Sequence, residues 1–111
     1  MKNGIERIAA ERQRQIDQEG YSPTHDHQHD GGELSEAAAC YAELAGSQIR
    51  GASVEELRDK YLEGWGDLDW PWSAASFKPH PAALRNLEKA GALIAAEIDR
   101  ILNLNAIGRP R

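Results

Sequence analysis

The run PAALRNLEKAGALIAAEIDRI, Pro81 to Ile101, decides the fold. Leu84, Leu87, Gly91, Ile94, Ile98 and Ile101 recur at alternating spacings of three and four, the period of a helix face packed along a coiled-coil-like seam. Pro81 suits the first helical turn, where its missing N–H is not needed. Gly91 stands on the seam at a penalty of about 1 kcal/mol in helix propensity. A close backbone contact is therefore expected there, with Ala92, Ala95 and Ala96 keeping that side thin. A seam this long also suits a copy of itself in a second chain, and a homodimer is expected.

Working outward, the same period recurs. From Asn3 to about Glu19, Ile5, Ile8, Ala9, Arg12 and Ile16 share one helical side, and Gly20 is a natural stop. Glu6, Arg7, Glu11, Arg14, Gln15 and Asp17 lie on the other side and are expected to be solvated. A second helix runs from Glu33 to about Leu44 and ends at Gly46, burying Leu34, Ala37, Ala38, Tyr41, Leu44 and Ala45. So many alanines let a neighbouring helix come close. Ser53 caps a short helix and Glu56 completes its capping box, with Leu57, Tyr61 and Leu62 apolar and Gly64 closing it.

Two loops remain. Residues 20–32 are rich in His and Asp, punctuated by Ser22-Pro23 and Gly31-Gly32. Residues 64–80 are rich in Trp and Pro and hold every Trp and the only Phe, a composition that argues for order, since disordered segments are poor in aromatics. Residues 106–111 read as a frayed tail. The expected fold is all-α, a single domain over 1–111 in which three long helices and one short helix are joined by an ordered aromatic-rich loop.

Composition agrees. Val54 is the only valine, and strands recruit β-branched residues. The net charge of −5, from 18 acids against 13 bases, with no long basic stripe, argues against a duplex nucleic-acid surface and leaves room for a small anionic ligand. The lone Cys40 fits a reducing compartment and reads as a small buried hydrophobe. The opening MKNGIERIAAERQRQ lacks the apolar core of a signal peptide, and no run of about 18 apolar residues spans a membrane. The expected location is the cytoplasm.

The acids fall at suggestive intervals. Glu33 and Glu36 are three apart, one helical turn, and so are Glu56 and Asp59, with 23 residues from each member of the first pair to its counterpart in the second. If the two helices pack antiparallel, four carboxylates converge, an arrangement tolerated mainly around a hard cation such as Mg²⁺. GELSEAAACYAEL followed by EELRDKYL resembles the ExxE…ExxD signature of the MazG-like and dUTPase-like all-α nucleoside triphosphate pyrophosphohydrolases. That resemblance implies Mg²⁺ held by Glu33, Glu36, Glu56 and Asp59, with Glu33 and Glu36 at the catalytic centre. It further implies a metal-activated water attacking a phosphate, and a Lys or Arg of the first or last helix holding the phosphates.

Over most of its length the chain also resembles small helical proteins of phages and prophages. The shared segments are Glu11-Arg12-Gln13-Arg14-Gln15, Glu19 to Leu34, the WPW loop and the KAGALIAAEIDR helix. This resemblance implies an accessory protein of a mobile element, acting in the cytoplasm of a bacterial host, and assigns no activity.

Other residues are candidates to touch a ligand. His25, His27 and His29 with Asp26 and Asp30 are of the right types for a transition metal, although no CxxC or HExxH spacing accompanies them; a hydrogen-bonded turn with Asp30 or Gly32 capping the next helix is the plainer reading. The loop is expected to deliver His29 or Asp26 next to Glu33 and Glu36, as a partner of those acids or as a group touching the ligand; the Gly31-Gly32 amides open a helix and favour anions, and Arg12 or Arg14 can fold back from the first helix. Trp72 is a candidate for stacking on a base or partner; a cluster capping the helices is the alternative for the aromatic loop. Lys78 and Lys89 are candidates for phosphate, the alternative for Lys89 being a salt bridge to Glu33 or Glu36. Function narrows to two classes: a nucleotide-binding protein with Mg²⁺-dependent pyrophosphohydrolase chemistry, or a noncatalytic binder that sequesters a nucleotide signal or blocks a host defence protein.

Overall fold

The computed structural model describes residues 2–20 and 30–106, with side chains through Asn103. The chain forms α1 (Gly4–Glu19), α2 (Glu33–Ile49), α3 (Val54–Glu63), a single 3₁₀ turn (Ala74–Ser76) and α4 (Ala83–Ala106). Among the described residues there is no strand, and the fold is all-α. No described helix is long and apolar enough to cross a membrane.

Local chemistry sets the helix ends. The Asn3 side chain accepts the Glu6 N–H and the Glu6 carboxylate accepts the Asn3 N–H, each at 2.9 Å, a reciprocal box at the start of α1. Gly20 ends α1 in the left-handed region at φ 72°, as its position in the sequence predicts. Ser53 caps α3 by accepting the Glu56 N–H at 3.3 Å. Two boundaries move. α2 continues past Gly46 to Ile49 because its last turn is held from outside: Gln48 donates to the carbonyls of His80 and Pro81, both at 3.1 Å, and accepts from the buried Asn86 at 2.8 Å. α4 starts at Ala83 rather than Pro81, since His80 Nδ1 accepts the Ala82 N–H at 2.8 Å and fixes the turn before it.

The core is the α2–α4 contact with the aromatic loop folded over one end. Leu34, Ala37, Ala38, Cys40 and Leu44 of α2 are buried with Ala90, Leu93 and Ala96 of α4, and the small side chains let the two axes approach closely, as expected. Tyr41, Tyr61, Trp70 and Phe77 complete it, with ring centroids of Trp70 and Phe77 4.6 Å apart and Tyr41 edge-on to Trp70 at 5.4 Å. The loop is ordered around Trp70, whose indole N–H is shared between the Ser73 carbonyl at 3.1 Å and Ser76 Oγ at 3.0 Å.

α1 packs in a way its apolar pattern does not predict. Glu11 and Gln15, assigned to a wet face, are buried at 2% and 3% exposure, whereas Ile5 is 81% exposed. The reason is pairing: Glu11 accepts from Arg14 at 2.9 and 2.7 Å, from Gln15 at 3.2 Å and from Arg85 of α4 at 2.8 Å. A carboxylate so fully hydrogen-bonded is tolerated at a helix interface. Gly91 also answers to α1, through a side chain rather than the expected backbone: a Cβ there would lie 2.5 Å from Ile8 Cδ1 and 2.7 Å from its Cγ1. The seam on α4 is not core either. Leu84, Leu87, Ile94 and Ile98 are 52%, 42%, 50% and 52% exposed, because α2 takes the opposite side of α4, through Ala90, Leu93 and Ala96.

Candidate functional site

The four acids of the ExxE…ExxD pattern do not meet. Among the described residues no three His, Cys, Asp or Glu side chains are grouped to hold a metal ion. The α2–α3 hairpin explains this. The Tyr61 hydroxyl donates to Glu43 at 2.9 Å and Lys60 pairs with Glu43 at 3.0 Å, which sets the antiparallel register. With that register Glu36 lies away from the turn and Glu56 toward it, roughly 15 Å apart along the pair at about 1.5 Å per residue. Glu56 and Asp59 are exposed. Glu33 folds onto its own helix start, accepting the Gly31 N–H at 2.7 Å, while Gly32 at the N-cap provides no side-chain bond. Glu36 is half-buried one turn later. The tetrad expected to hold Mg²⁺, and with it the catalytic pair Glu33 and Glu36, is thus divided between the two ends of a hairpin.

A different cluster does assemble. Where the end of α1, the residues after Phe77 and the first turns of α4 meet, Arg14, Lys78, Arg85 and Lys89 line an open cleft of about 390 Å³ with His80 and Glu19. Arg14 and Arg85 also border an adjoining cleft of about 340 Å³ that contains Arg7, Glu11 and Glu88. In a chain of net charge −5, four cations face one carboxylate in the first cleft. With Glu11 and Glu88 of the adjoining cleft included, cations still outnumber carboxylates, a local excess of positive charge that favours an anion.

The acids around this cleft fix the cations in place. Glu11 bridges Arg14 and Arg85; Glu19 bridges Arg14 at 2.6 Å and Lys78 at 3.1 Å; Glu88 holds Arg7 at 2.9 Å and also holds Arg85. Burial by itself would raise the Glu11 pKa, but the hydrogen bonds and charges of Arg14 and Arg85 outweigh it and hold the value at about 2. Glu19 and Glu88 are lowered in the same way, burial opposing and the cations prevailing. The guanidiniums are therefore oriented before any ligand arrives, which removes an ordering cost from binding.

Lys89 is different. Its ammonium lies 5.7 Å from the centre of the Tyr41 ring, a cation–π contact, and among the described residues it has no carboxylate partner. Burial, aided by the charges of Arg14 and Arg85, lowers its pKa against the pull of Glu11 and Glu19. The backbone beneath is rigid: Tyr41 OH accepts the Lys78 N–H at 3.0 Å, and Asn86 clamps His80 through its N–H and carbonyl, both at 2.8 Å.

Of the residues proposed from sequence to touch a ligand, Lys78 and Lys89 are brought together in this cleft. Arg12 is not; it is buried beneath α1 with Asp99 3.6 Å away. Arg14 holds the position instead. Trp72 stacks edge-on against Trp70 at 5.4 Å on the margin of the core, so the capping cluster describes it better than an exposed stacking platform. His25, Asp26 and His29 lie outside the described residues. Arg85, His80, Glu11 and Glu19 were not singled out as ligand contacts. The signal for Arg85 was its spacing of four from Lys89, which puts both on neighbouring turns of one helix side.

Compared with family models, with curated proteins and with solved structures, the chain finds no match. The cleft is the surest guide to what it does.

Proposed function

We propose that the protein binds a small ligand bearing phosphate, a nucleotide or a nucleotide-derived molecule, in the cleft between Arg14, Lys78, Arg85 and Lys89. The observation that carries this reading is the Lys89 ammonium, partly desolvated beside two guanidiniums and, among the described residues, without a carboxylate of its own. An anion is what such a group lacks. Two arginines beside two lysines suit phosphate oxygens: the lysines supply mobile point charge, and the guanidiniums, whose forks are already held by Glu11, Glu19 and Glu88, supply fixed positive charge beside it. A volume of about 390 Å³ is in the range of small-molecule sites.

The reading favours holding the ligand over cleaving it. The separated acids supply no set of three described carboxylates for Mg²⁺, so in this proposal the ion is the phosphates' own companion rather than a resident cofactor. Within the phage-type setting that the sequence resemblance implies, a protein that captures a nucleotide acts by sequestering it. Blocking a host protein with the aromatic loop is the weaker alternative, because of its tryptophans only Trp65 is exposed.

The test is a thermal-shift and calorimetric survey of pyrophosphate, mononucleotides, nucleoside triphosphates and cyclic dinucleotides, with and without Mg²⁺, followed by recovery of the ligand from denatured protein. Stabilisation by a phosphorylated ligand that is recovered unchanged is expected. Release of pyrophosphate and monophosphate restores the hydrolase reading, and no shift with any member of the panel refutes a phosphate ligand.

A further inference from the structure

The apolar row on α4 has a period, a length and a rim that together identify its occupant. Leu84, Leu87, Ile94, Ile98 and Leu102 are each between 42% and 57% exposed, and no charged residue stands among these positions. At Gly91 the row is completed from α1, where Ile8 fills the notch, and Ile5 of α1 is 81% exposed. Single exposed hydrophobic residues need no explanation, but a contiguous row of this kind does. The α2 side of α4 is separate, marked by buried Ala90, Leu93 and Ala96.

We infer that a second copy of this chain covers the row, α4 against α4 and antiparallel about a twofold axis near Gly91 and Ile94. The spacing of three and four is that of a seam meeting another helix with the same repeat, which a second α4 supplies. The order of charges selects the antiparallel arrangement. Arg85 and the adjacent Arg7, 41% exposed, lie near the start of α4 with Lys89 one turn on, outnumbering the Glu88 that holds both arginines. Asp99, 55% exposed and 3.6 Å from Arg12, lies in the second half of the helix, so reversal brings the basic first turns of one copy toward an exposed acid of the other. Opposed helix dipoles favour the same direction. A membrane is the poorer occupant: the row contains no Trp or Tyr and is bordered by both signs of charge. From Leu84 to Leu102 the row is about 27 Å long, and with α1 beside it roughly two helix diameters wide, so each copy offers on the order of 500 Å². That is near the lower limit of specific interfaces, about 600 Å² per partner, and implies a dimer that dissociates on dilution.

Sedimentation of the full chain from micromolar to submillimolar concentration tests this. The expected result is a reversible shift from the 12.3 kDa monomer to twice that mass. Ile98→Asp, at a position half exposed in the monomer, should keep its helical circular dichroism and stay monomeric throughout, whereas Ile49→Asp, exposed on α2, should dimerise normally. Ile94→Cys, close to the proposed axis, should give a covalent dimer under mild oxidation, and Ile49→Cys should not. If Ile98→Asp fails to fold, the Ile94→Cys cross-link decides. A wild-type chain that stays monomeric, a larger oligomer, unchanged dimerisation of folded Ile98→Asp, or no Ile94→Cys cross-link overturns the inference.

Discussion

The Lys89 ammonium lies 5.7 Å from the Tyr41 ring centre and pairs with no described carboxylate, although Arg14, Arg85 and Lys78 in the same cleft are each held by an acid. A cation in that position costs stability in the unliganded protein and repays it only when an anion arrives. The two effects have opposite signs at one residue, and a single substitution separates them.

Lys89→Met keeps the length of the side chain and removes the charge. The unliganded protein should become more stable by about 0.5–1 kcal/mol, a few degrees in Tm, because a partly desolvated charge is gone. Affinity for a phosphorylated ligand should fall about 10- to 100-fold, the loss of one charge-assisted bond. Differential scanning fluorimetry and calorimetry on the same samples check both. A variant that loses stability while keeping affinity places Lys89 in a structural role only.

Binding should also weaken on the alkaline side. An anion prefers protonated Lys89, and burial has lowered its pKa below the ordinary 10.5, so protonation is lost earlier than for a free lysine. Affinity therefore declines as pH rises through the lowered value, and the decline moves out of the accessible range in Lys89→Arg. Titration of ligand affinity against pH in both proteins measures this.

The sequence discloses helices far better than it discloses which side of each helix is inside. The alanine face of α2 was legible because Ala37, Ala38 and Leu44 repeat with the helical period and meet Ala90, Leu93 and Ala96. On α1 the same logic misplaces the interface, since Glu11 and Gln15 read as water-facing until Arg14 and Arg85 are seen to satisfy them. On α4 the seam is real in period, yet it faces outward. The acid pairs fail for a related reason: a spacing of three puts two carboxylates on one helix side, but which residues face across a hairpin depends on register, here fixed by Glu43 against Lys60 and Tyr61. Lys78 and Lys89 share a cleft because both flank the end of the aromatic loop, whereas Arg14 and Arg85 depend on a crossing of α1 over α4 that no local pattern encodes.

Acid should unfold the protein through Glu11. Its folded pKa of about 2 lies below the ordinary 4.5, so the ionised carboxylate contributes stability above pH 4.5 that is lost as pH falls toward 2. Glu19 and Glu88, also lowered, add to the same window. Glu11→Gln leaves Arg14 and Arg85 short of a counter-charge and should destabilise by about 2–3 kcal/mol at neutral pH. Urea melts at pH 7, 4 and 2.5 should show wild type and variant converging as the solution becomes more acidic; a constant difference would mean that the carboxylate's charge is not what matters.

Cys40 should be inert in the native state. Burial, with the nearby charges of Glu36, Glu43 and Asp69, pushes its thiol pKa from 9.0 up to about 12. Thiolate is the reactive form, so labelling by a disulfide reagent at pH 8 should be slower than in the urea-unfolded chain by about a hundredfold or more. The neutral thiol is favoured by folding, so this contribution is intact below about pH 9 and is lost as pH rises toward about 12. Rapid native labelling would show that α2 opens locally around Cys40.

Gly91 tests how α1 is seated on α4. In an isolated helix Gly→Ala stabilises by about 1 kcal/mol. Here the new methyl would lie 2.5, 2.7 and 3.2 Å from Cδ1, Cγ1 and Cγ2 of Ile8, and the last two atoms are close to a β-branched stem that cannot swing clear. Overpacking of this kind costs about 1–3 kcal/mol, which outweighs the propensity gain, so Gly91→Ala should be neutral to destabilising by about 2 kcal/mol. Ile8→Ala opens the space that the methyl needs. In a double-mutant cycle followed by urea denaturation, Gly91→Ala on the Ile8→Ala background should become stabilising, with a coupling energy of about 1–2 kcal/mol. Additive effects would show that α1 does not cross α4 at Gly91, and Arg14 would then lose the support that carries it into the cleft beside Lys89.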